Sequence, residues 1–225
     1  MDQKNASAAN GLSPFLQKHS VLLRIWHWLT FLTLTASIVT VLIVSTALHP
    51  RGNIKMVQER LAKKGVTITD EQAFSVAHSF DDKIWDVHKL LGFGLTFLLL
   101  SRVILEVVQP GDEKVRVRIK RALKMTTGTA ENQKLIRHYV IVKRSYLLFY
   151  MLLLVMVLTG LGMAFGHDLT FLDHYHRPIK TLHSFCQYLI YGFVVLHLCG
   201  IIVSDITHSR GIVSGMINGG DQSKE

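Results

Sequence analysis

The chain has 225 residues, 49% of them hydrophobic, and a formal net charge of +9. A soluble nucleic-acid binder can be this basic, but four long apolar runs point instead to a multi-pass membrane protein of about one domain, with no nucleic-acid partner. The charge is also uneven: Val108 to Ser145 holds ten basic residues against three acidic ones, which is most of the excess.

Residues 1–20 are polar and lack an apolar core, so no cleavable signal peptide is expected and the first apolar segment reads as an uncleaved span. That span covers about 25–48. It holds no acid or base apart from His27 near its start, and Arg24, Trp26 and Trp28 lie at its polar boundary, where such residues anchor. His49-Pro50-Arg51-Gly52 ends it. The connection from 49 to 86 balances six basic residues against six acidic ones. Within it, Ile54, Val57 and Leu61 fall at helical spacing and predict a short surface helix over 54–64. Thr69 with Gln72 matches a capping box and predicts a second helix start.

The second span covers 90–108. Trp85, His88 and Lys89 precede it, and Gln109-Pro110-Gly111 stops it. In the basic loop that follows, Val117 to Met125 reads as a basic helix lying on an anionic inner membrane surface. The third span, 146–165, has neither histidine nor charge, and Gly160, Gly162 and Ala164 allow close helix approach. A short loop with His167, His174 and His176 leads to the fourth span, 179–206. The expected organisation is a polar segment 1–20, one transmembrane domain over 21–208 and a polar tail over 209–225.

Four spans put both termini on one side. The basic loop joins spans two and three, so the positive-inside rule makes that side cytoplasmic, N and C termini included. The expected fold is therefore all-α, a four-helix transmembrane bundle, with the loops 49–86 and 166–178 outside.

Four histidines belong to these spans. His183 and His197 are 14 residues apart, which is almost four helical turns and ~21 Å, so both project from one face at opposite ends of the span. His27 starts a span running outward and His88 starts one running inward. Depth then pairs His88 with His183 outside and His27 with His197 inside. Ionisable groups in membrane helices are costly and by default mark a functional site. A single such histidine is often just hydrogen-bonded to a neighbouring helix, but four at two matching depths argue for ligation. Two facing imidazoles in an apolar bundle suit an axially ligated haem, so two pairs suit two haems. A zinc site draws three or four ligands together, which two separated pairs serve poorly.

Arg102 follows His88 by 14 residues, which places it on the same face at the level of the inner pair. It is a candidate for binding haem propionates, as are Arg24 and Arg144. The alternative is that Arg102 pairs with Glu106 one turn on and snorkels to the interface. His19, His49, His78, His138, His167, His174, His176 and His208 lie in loops or at span ends and read as surface residues, with His174-Tyr175-His176 a weaker metal-binding candidate. Cys186 and Cys199 share a span about 20 Å apart. They read as small buried apolar residues, and the absence of C-x-x-C-H argues against covalent haem attachment.

Through R-I-W-H-W (24–28), K-I-W-D-V-H-K-L-L-G (83–92), K-T-L-H (180–183) and L-H (196–197), the sequence resembles the bacterial cytochrome b561 family. That family includes the b-type cytochrome subunits of membrane-bound nickel–iron hydrogenases. The resemblance covers about residues 18–215 and rests on the four-histidine arrangement, each motif alone being weak. It implies four transmembrane helices and two haem b groups whose iron takes His27, His88, His183 and His197 as axial ligands. It also implies electron exchange with a quinone and a place in the bacterial cytoplasmic (inner) membrane. The long loop between spans one and two departs from the small stand-alone members, and reads either as a dock for an external redox partner or as a cap.

The expected function is a di-haem b-type cytochrome passing electrons between a redox partner at the outer face and the quinone pool, as the cytochrome b subunit of a respiratory complex. The partner would be a periplasmic or membrane-associated hydrogenase, dehydrogenase or cytochrome c. Two haems are needed because one hop across a ~30 Å hydrocarbon core is too long. Ser204, Asp205 and His208 are weak candidates for a proton path to quinone; their alternative is to cap the helix end. One rival function is a stand-alone oxidoreductase taking electrons from a small molecule such as superoxide, with Lys89 and Lys180 favouring an anion. Another is a haem-free membrane scaffold.

Overall fold

The computed structural model describes residues 20–108, 117, 130–166, 174–207 and 216–217. The polar segment before Ser20, most of the tail, the expected basic helix beyond Val117, and His19, His167 and His208 lie outside the described residues, as do the side chains of His138 and Ser204. The described residues form α1 (Val21–Ser45), α2 (Pro50–Ala62), α3 (Asp70–Val108), α4 (Ala130–Ala164) and α5 (His176–Thr207), with no strand among them. The fold is all-α. Four stretches are long and apolar enough to cross a membrane: α1, α3, Val140–Ala164 of α4 and His176–Val203 of α5. A helix satisfies its backbone hydrogen bonds internally, which is why such apolar runs are stable as helices in hydrocarbon.

Local chemistry accounts for the ends of these helices. Ser20 caps α1, its Oγ accepting from the Leu23 amide at 3.3 Å. After Ser45 the chain turns, and Asn53 Nδ2 ties that turn by donating to the carbonyls of Ala47 (2.9 Å) and His49 (3.2 Å). Pro50 opens α2, where its missing amide hydrogen is not needed. Past the end of α2, Gly65 adopts φ +78°, a conformation strained for residues with a side chain. Gln58 of α2 then donates to Asp70 Oδ1 at 2.8 Å, fastening α2 to the start of α3.

The capping box at 69–72 is formed. The Gln72 amide donates to Thr69 Oγ1 at 3.3 Å and the Thr69 amide to Gln72 Oε1 at 2.9 Å. It opens no separate short helix, however, because α3 runs unbroken for 39 residues into the apolar span. Neither Gly nor Pro interrupts 70–91. Ala73, Ala77 and Asp81 are buried at a spacing of four, so a protein-covered stripe continues where the apolar pattern fades.

The chain divides into two compact units. The first comprises Met1–Trp28, Leu99–Met156 and Thr181–Glu225; the second comprises Leu29–Leu98 and Val157–Lys180. Within the first, Leu153, Ile190, Cys186, Val140 and Trp26 are buried. Within the second, Leu95, Leu98, Val44 and the hydroxyl residues Thr30, Ser37, Thr40 and Thr159 are buried. Small residues bring helices together in the second unit: a Cβ on Gly94 of α3 would touch the Thr33 methyl of α1 at 3.5 Å, and one on Gly162 of α4 would touch Ile179 of α5 at 3.7 Å. Phe93 of α3 and Phe165 after α4 lie 5.9 Å apart, ring centre to ring centre. Many large apolar side chains on these helices are exposed, Phe97, Leu100, Leu148, Leu158 and Leu196 among them. Such surface suits lipid as its solvent.

Candidate functional site

In the first unit, side chains from α1, α3, α4 and α5 converge. His27 of α1 and His197 of α5 have ring centres 6.4 Å apart with planes at 54°. A metal–imidazole bond is about 2 Å long, so two imidazoles on opposite sides of one metal have ring centres about 6 Å apart. The observed spacing fits two axial ligands on one iron. The interplanar angle is immaterial, because each ring can rotate about the ligand axis.

Neighbours hold both rings. Trp28 meets His27 edge-on at 5.8 Å. Phe193, one turn before His197, stacks on its ring at 5.9 Å with planes 8° apart, and Phe149 of α4 stacks on Phe193 at 4.8 Å. His183, half-buried, sits on the same continuous helix as His197, so the 14-residue spacing does place them on one face of α5.

Three arginines were candidates for anionic groups here. Arg24 Nη1 donates to the Ile217 carbonyl at 2.9 Å, and Trp28 Nε1 donates to the Met216 carbonyl at 3.2 Å. Arg24 Nε is buried and makes no hydrogen bond to the described residues. A buried donor on a cation calls for an acceptor, and a haem propionate is one that this position, three residues before His27, would fit. Arg102 shows the alternative interaction expected for it: Nη2 pairs with Glu106 Oε2 at 3.2 Å. Its Nε also donates to the Tyr150 hydroxyl of α4 at 3.3 Å, and the Tyr150 ring meets Trp26 edge-on at 5.9 Å. Arg144 is exposed.

The second unit contains His88, half-buried on α3. Its Nδ1 lies 2.8 Å from Thr40 Oγ1 of α1, and that hydroxyl donates to the Ser37 carbonyl at 2.7 Å. Trp85 meets the His88 ring edge-on at 5.4 Å. One turn on, Gly92 is half-buried, yet a Cβ there would meet nothing within 4 Å. His88 thus has open space on its own face of the helix, the kind of cradle a planar cofactor needs. His88 belongs to the second unit and His183 to the first.

Other expected site residues read differently in the structure. Cys186 is buried, but Cys199 is exposed, a correction to the reading of both as buried. Thirteen residues turn a helix by about 1300°, which leaves Cys199 roughly on the opposite face from Cys186. Lys89 pairs with Asp86 at 2.8 Å, and Lys180 is exposed. His174 is exposed, and among the described residues no group of three or more His, Cys, Asp or Glu could hold a metal ion. Asp205 is half-buried at the end of α5.

Sequence reasoning passed over Thr40, Ser37, Phe193 and Tyr150. A signal was present for the first two: Thr30, Thr33, Ser37 and Thr40 recur at helical spacing through an otherwise apolar span. Hydroxyl groups on one stripe of a membrane helix need partners on the helix itself or across from it.

A family model described as prokaryotic cytochrome b561 matches residues 18–219. No curated protein and no solved structure matches. With the match spanning nearly the whole chain and four helices apolar enough to cross a membrane, the chain belongs to the prokaryotic cytochrome b561 family, multi-pass bacterial membrane b-type cytochromes that bind haem b and serve in electron transfer.

Proposed function

We propose that this chain is a di-haem cytochrome of the cytoplasmic membrane that passes electrons between a redox partner at the outer face and the quinone pool. The observation that carries this reading is the 6.4 Å spacing of the His27 and His197 rings, two neutral nitrogen donors suited to one six-coordinate iron. His88 and His183 are the second pair, assigned from helix order. When bound, haem supplies the one-electron couple.

The chain's own residues do the rest. His27 and His197 are held by Trp28 and Phe193. Arg24 Nε offers a buried donor for a propionate, and Arg102 is a further candidate through its remaining donors. The excess of positive charge between Val108 and Ser145 favours a cytoplasmic location for that loop and for both termini. The outer redox partner, a hydrogenase, dehydrogenase or cytochrome c, then approaches from the side of α2 and the first turns of α3. Of the two cations that would favour a small anion in the stand-alone reading, Lys89 is paired with Asp86 and Lys180 is exposed.

Reduced-minus-oxidised spectra of the purified protein test the proposal. Split or broadened b-type α-bands and about two haems per chain are expected. Purified chain without a Soret band, after expression with ample haem, would refute it and favour a scaffold. Recovery of a stoichiometric dehydrogenase or cytochrome c from native membranes supports the subunit role, and recovery of the chain alone supports the stand-alone one.

A further inference from the structure

We infer that Thr40 is a positioning residue for His88: its hydroxyl oxygen accepts a hydrogen bond from Nδ1–H and leaves Nε2 as the nitrogen His88 would present to a haem iron. The inference rests on the proposed role of His88 as a ligand.

The argument follows from three atoms. Thr40 Oγ1 stands 2.7 Å from the Ser37 carbonyl oxygen and 2.8 Å from His88 Nδ1. A hydroxyl has one hydrogen, and a carbonyl oxygen can only accept. Two oxygens at 2.7 Å without a hydrogen between them repel, so the Thr40 hydrogen points at Ser37. Only lone pairs of Oγ1 then face His88, and the Ser37 carbonyl that takes the Thr40 hydrogen is itself an acceptor in reach of the His88 ring, so both neighbours require Nδ1 to carry the hydrogen. A neutral imidazole has one N–H, so Nε2 keeps its lone pair.

The surroundings reinforce this polarity. Ser37 and Thr40 are buried, so water does not compete for the hydroxyl. The Ser37 side chain does not compete either, since its Oγ donates to the Thr33 carbonyl at 3.0 Å. Trp85 meets the His88 ring edge-on, restricting its rotation. The effect on a ligand follows from the same polarity. A hydrogen bond from the far nitrogen of a ligating imidazole orients the ring and raises its basicity. A more basic imidazole favours ferric over ferrous iron, so the Thr40 bond holds down the reduction potential of the haem that His88 ligates.

The test uses the haem-loaded protein in three variants: Thr40→Val, which keeps the shape and removes the hydroxyl, Thr40→Ser, which keeps the hydroxyl, and His88→Ala. Haem content, potentiometric titration and low-temperature EPR of the oxidised protein are read for each. Thr40→Val is expected to retain two haems and to raise one midpoint while leaving the other in place. If the lost bond weakens the ferric form tenfold more than the ferrous form, the shift is ~59 mV for one electron. Thr40→Ser should titrate like the native chain. Unchanged midpoints and EPR in Thr40→Val, or an equal shift in Thr40→Val and Thr40→Ser, would overturn the inference. If Thr40→Val loses a haem outright, Thr40→Ser must keep it, and loss in both also overturns the assignment to the hydroxyl. Two haems retained in His88→Ala would instead overturn the ligand role itself.

Discussion

The ring centres of His27 and His197 stand 6.4 Å apart, although the two residues come from the first and last long helices of the chain. Each ring rests against an aromatic side chain, so the pair is held from both helices at the spacing one six-coordinate iron requires.

The first expectation concerns which histidines share a haem. His27→Ala and His197→Ala should each lower haem content from about two to about one per chain and remove the same spectral component. His88→Ala and His183→Ala should both remove the other. Pyridine haemochrome content and the split of the α-band measure this. If His27→Ala and His88→Ala removed one and the same component, the pairing would be wrong.

The spacing on α5 makes a second expectation. One alanine inserted between His183 and His197 turns everything beyond it by ~100°. One haem should be lost while the chain still inserts in the membrane at the native level, as shown by protease protection of tags. Two haems retained by such a variant would mean that the two histidines do not need a common face.

Phe193 is expected to matter for His197 without touching iron. Aromatic pairs contribute about 0.5–1.5 kcal/mol beyond area burial, so Phe193→Ala should weaken haem retention at that site roughly five-fold. Phe193→Tyr should restore it. Haem transfer to apomyoglobin gives the rate, and only one of the two phases should accelerate.

Arg102 presents two roles that a mutant cycle separates. Its side chain is 11% exposed and pairs with Glu106. Removing one partner of a largely buried pair is typically destabilising by about 3–5 kcal/mol, less where a partner is partly exposed as Glu106 is, while replacing both with apolar residues is often neutral. Arg102→Leu should lower the thermal midpoint in detergent, and Arg102→Leu with Glu106→Leu should recover most of it. A double variant that is stable yet lacks one haem would assign Arg102 to the propionates.

Much of the architecture was legible because it depends on local properties. Whether a segment is apolar over eighteen or more residues is written in consecutive letters, and a bilayer forces such a segment into a helix whatever its neighbours do. The capping box at Thr69 and Gln72 was legible for the same reason, since both partners lie within one turn. The continuity of α3 was not. Between Asp70 and Lys89 the apolar pattern is weak, and the helix there is buried along Ala73, Ala77 and Asp81. The exposure of Cys199 depends on which face of α5 the neighbouring helices cover.

The candidate site divides along the same line. Sequence alone determined that four histidines stand in or at the start of apolar spans, that His183 and His197 share a helix face, and that Arg102 has a carboxylate one turn away. These follow from helical rise and from counting along one chain. Only the tertiary structure decided that His27 and His197 stand 6.4 Å apart, that Arg102 also reaches Tyr150, and that Thr40 meets Nδ1 of His88. Each of these is a contact between different helices, set by how side chains pack rather than by how far apart they lie in the chain. The tautomer of His88 is the clearest instance: its imidazole is the same five-membered ring in any histidine, and which nitrogen keeps its lone pair is settled by a threonine hydroxyl whose own hydrogen is already engaged.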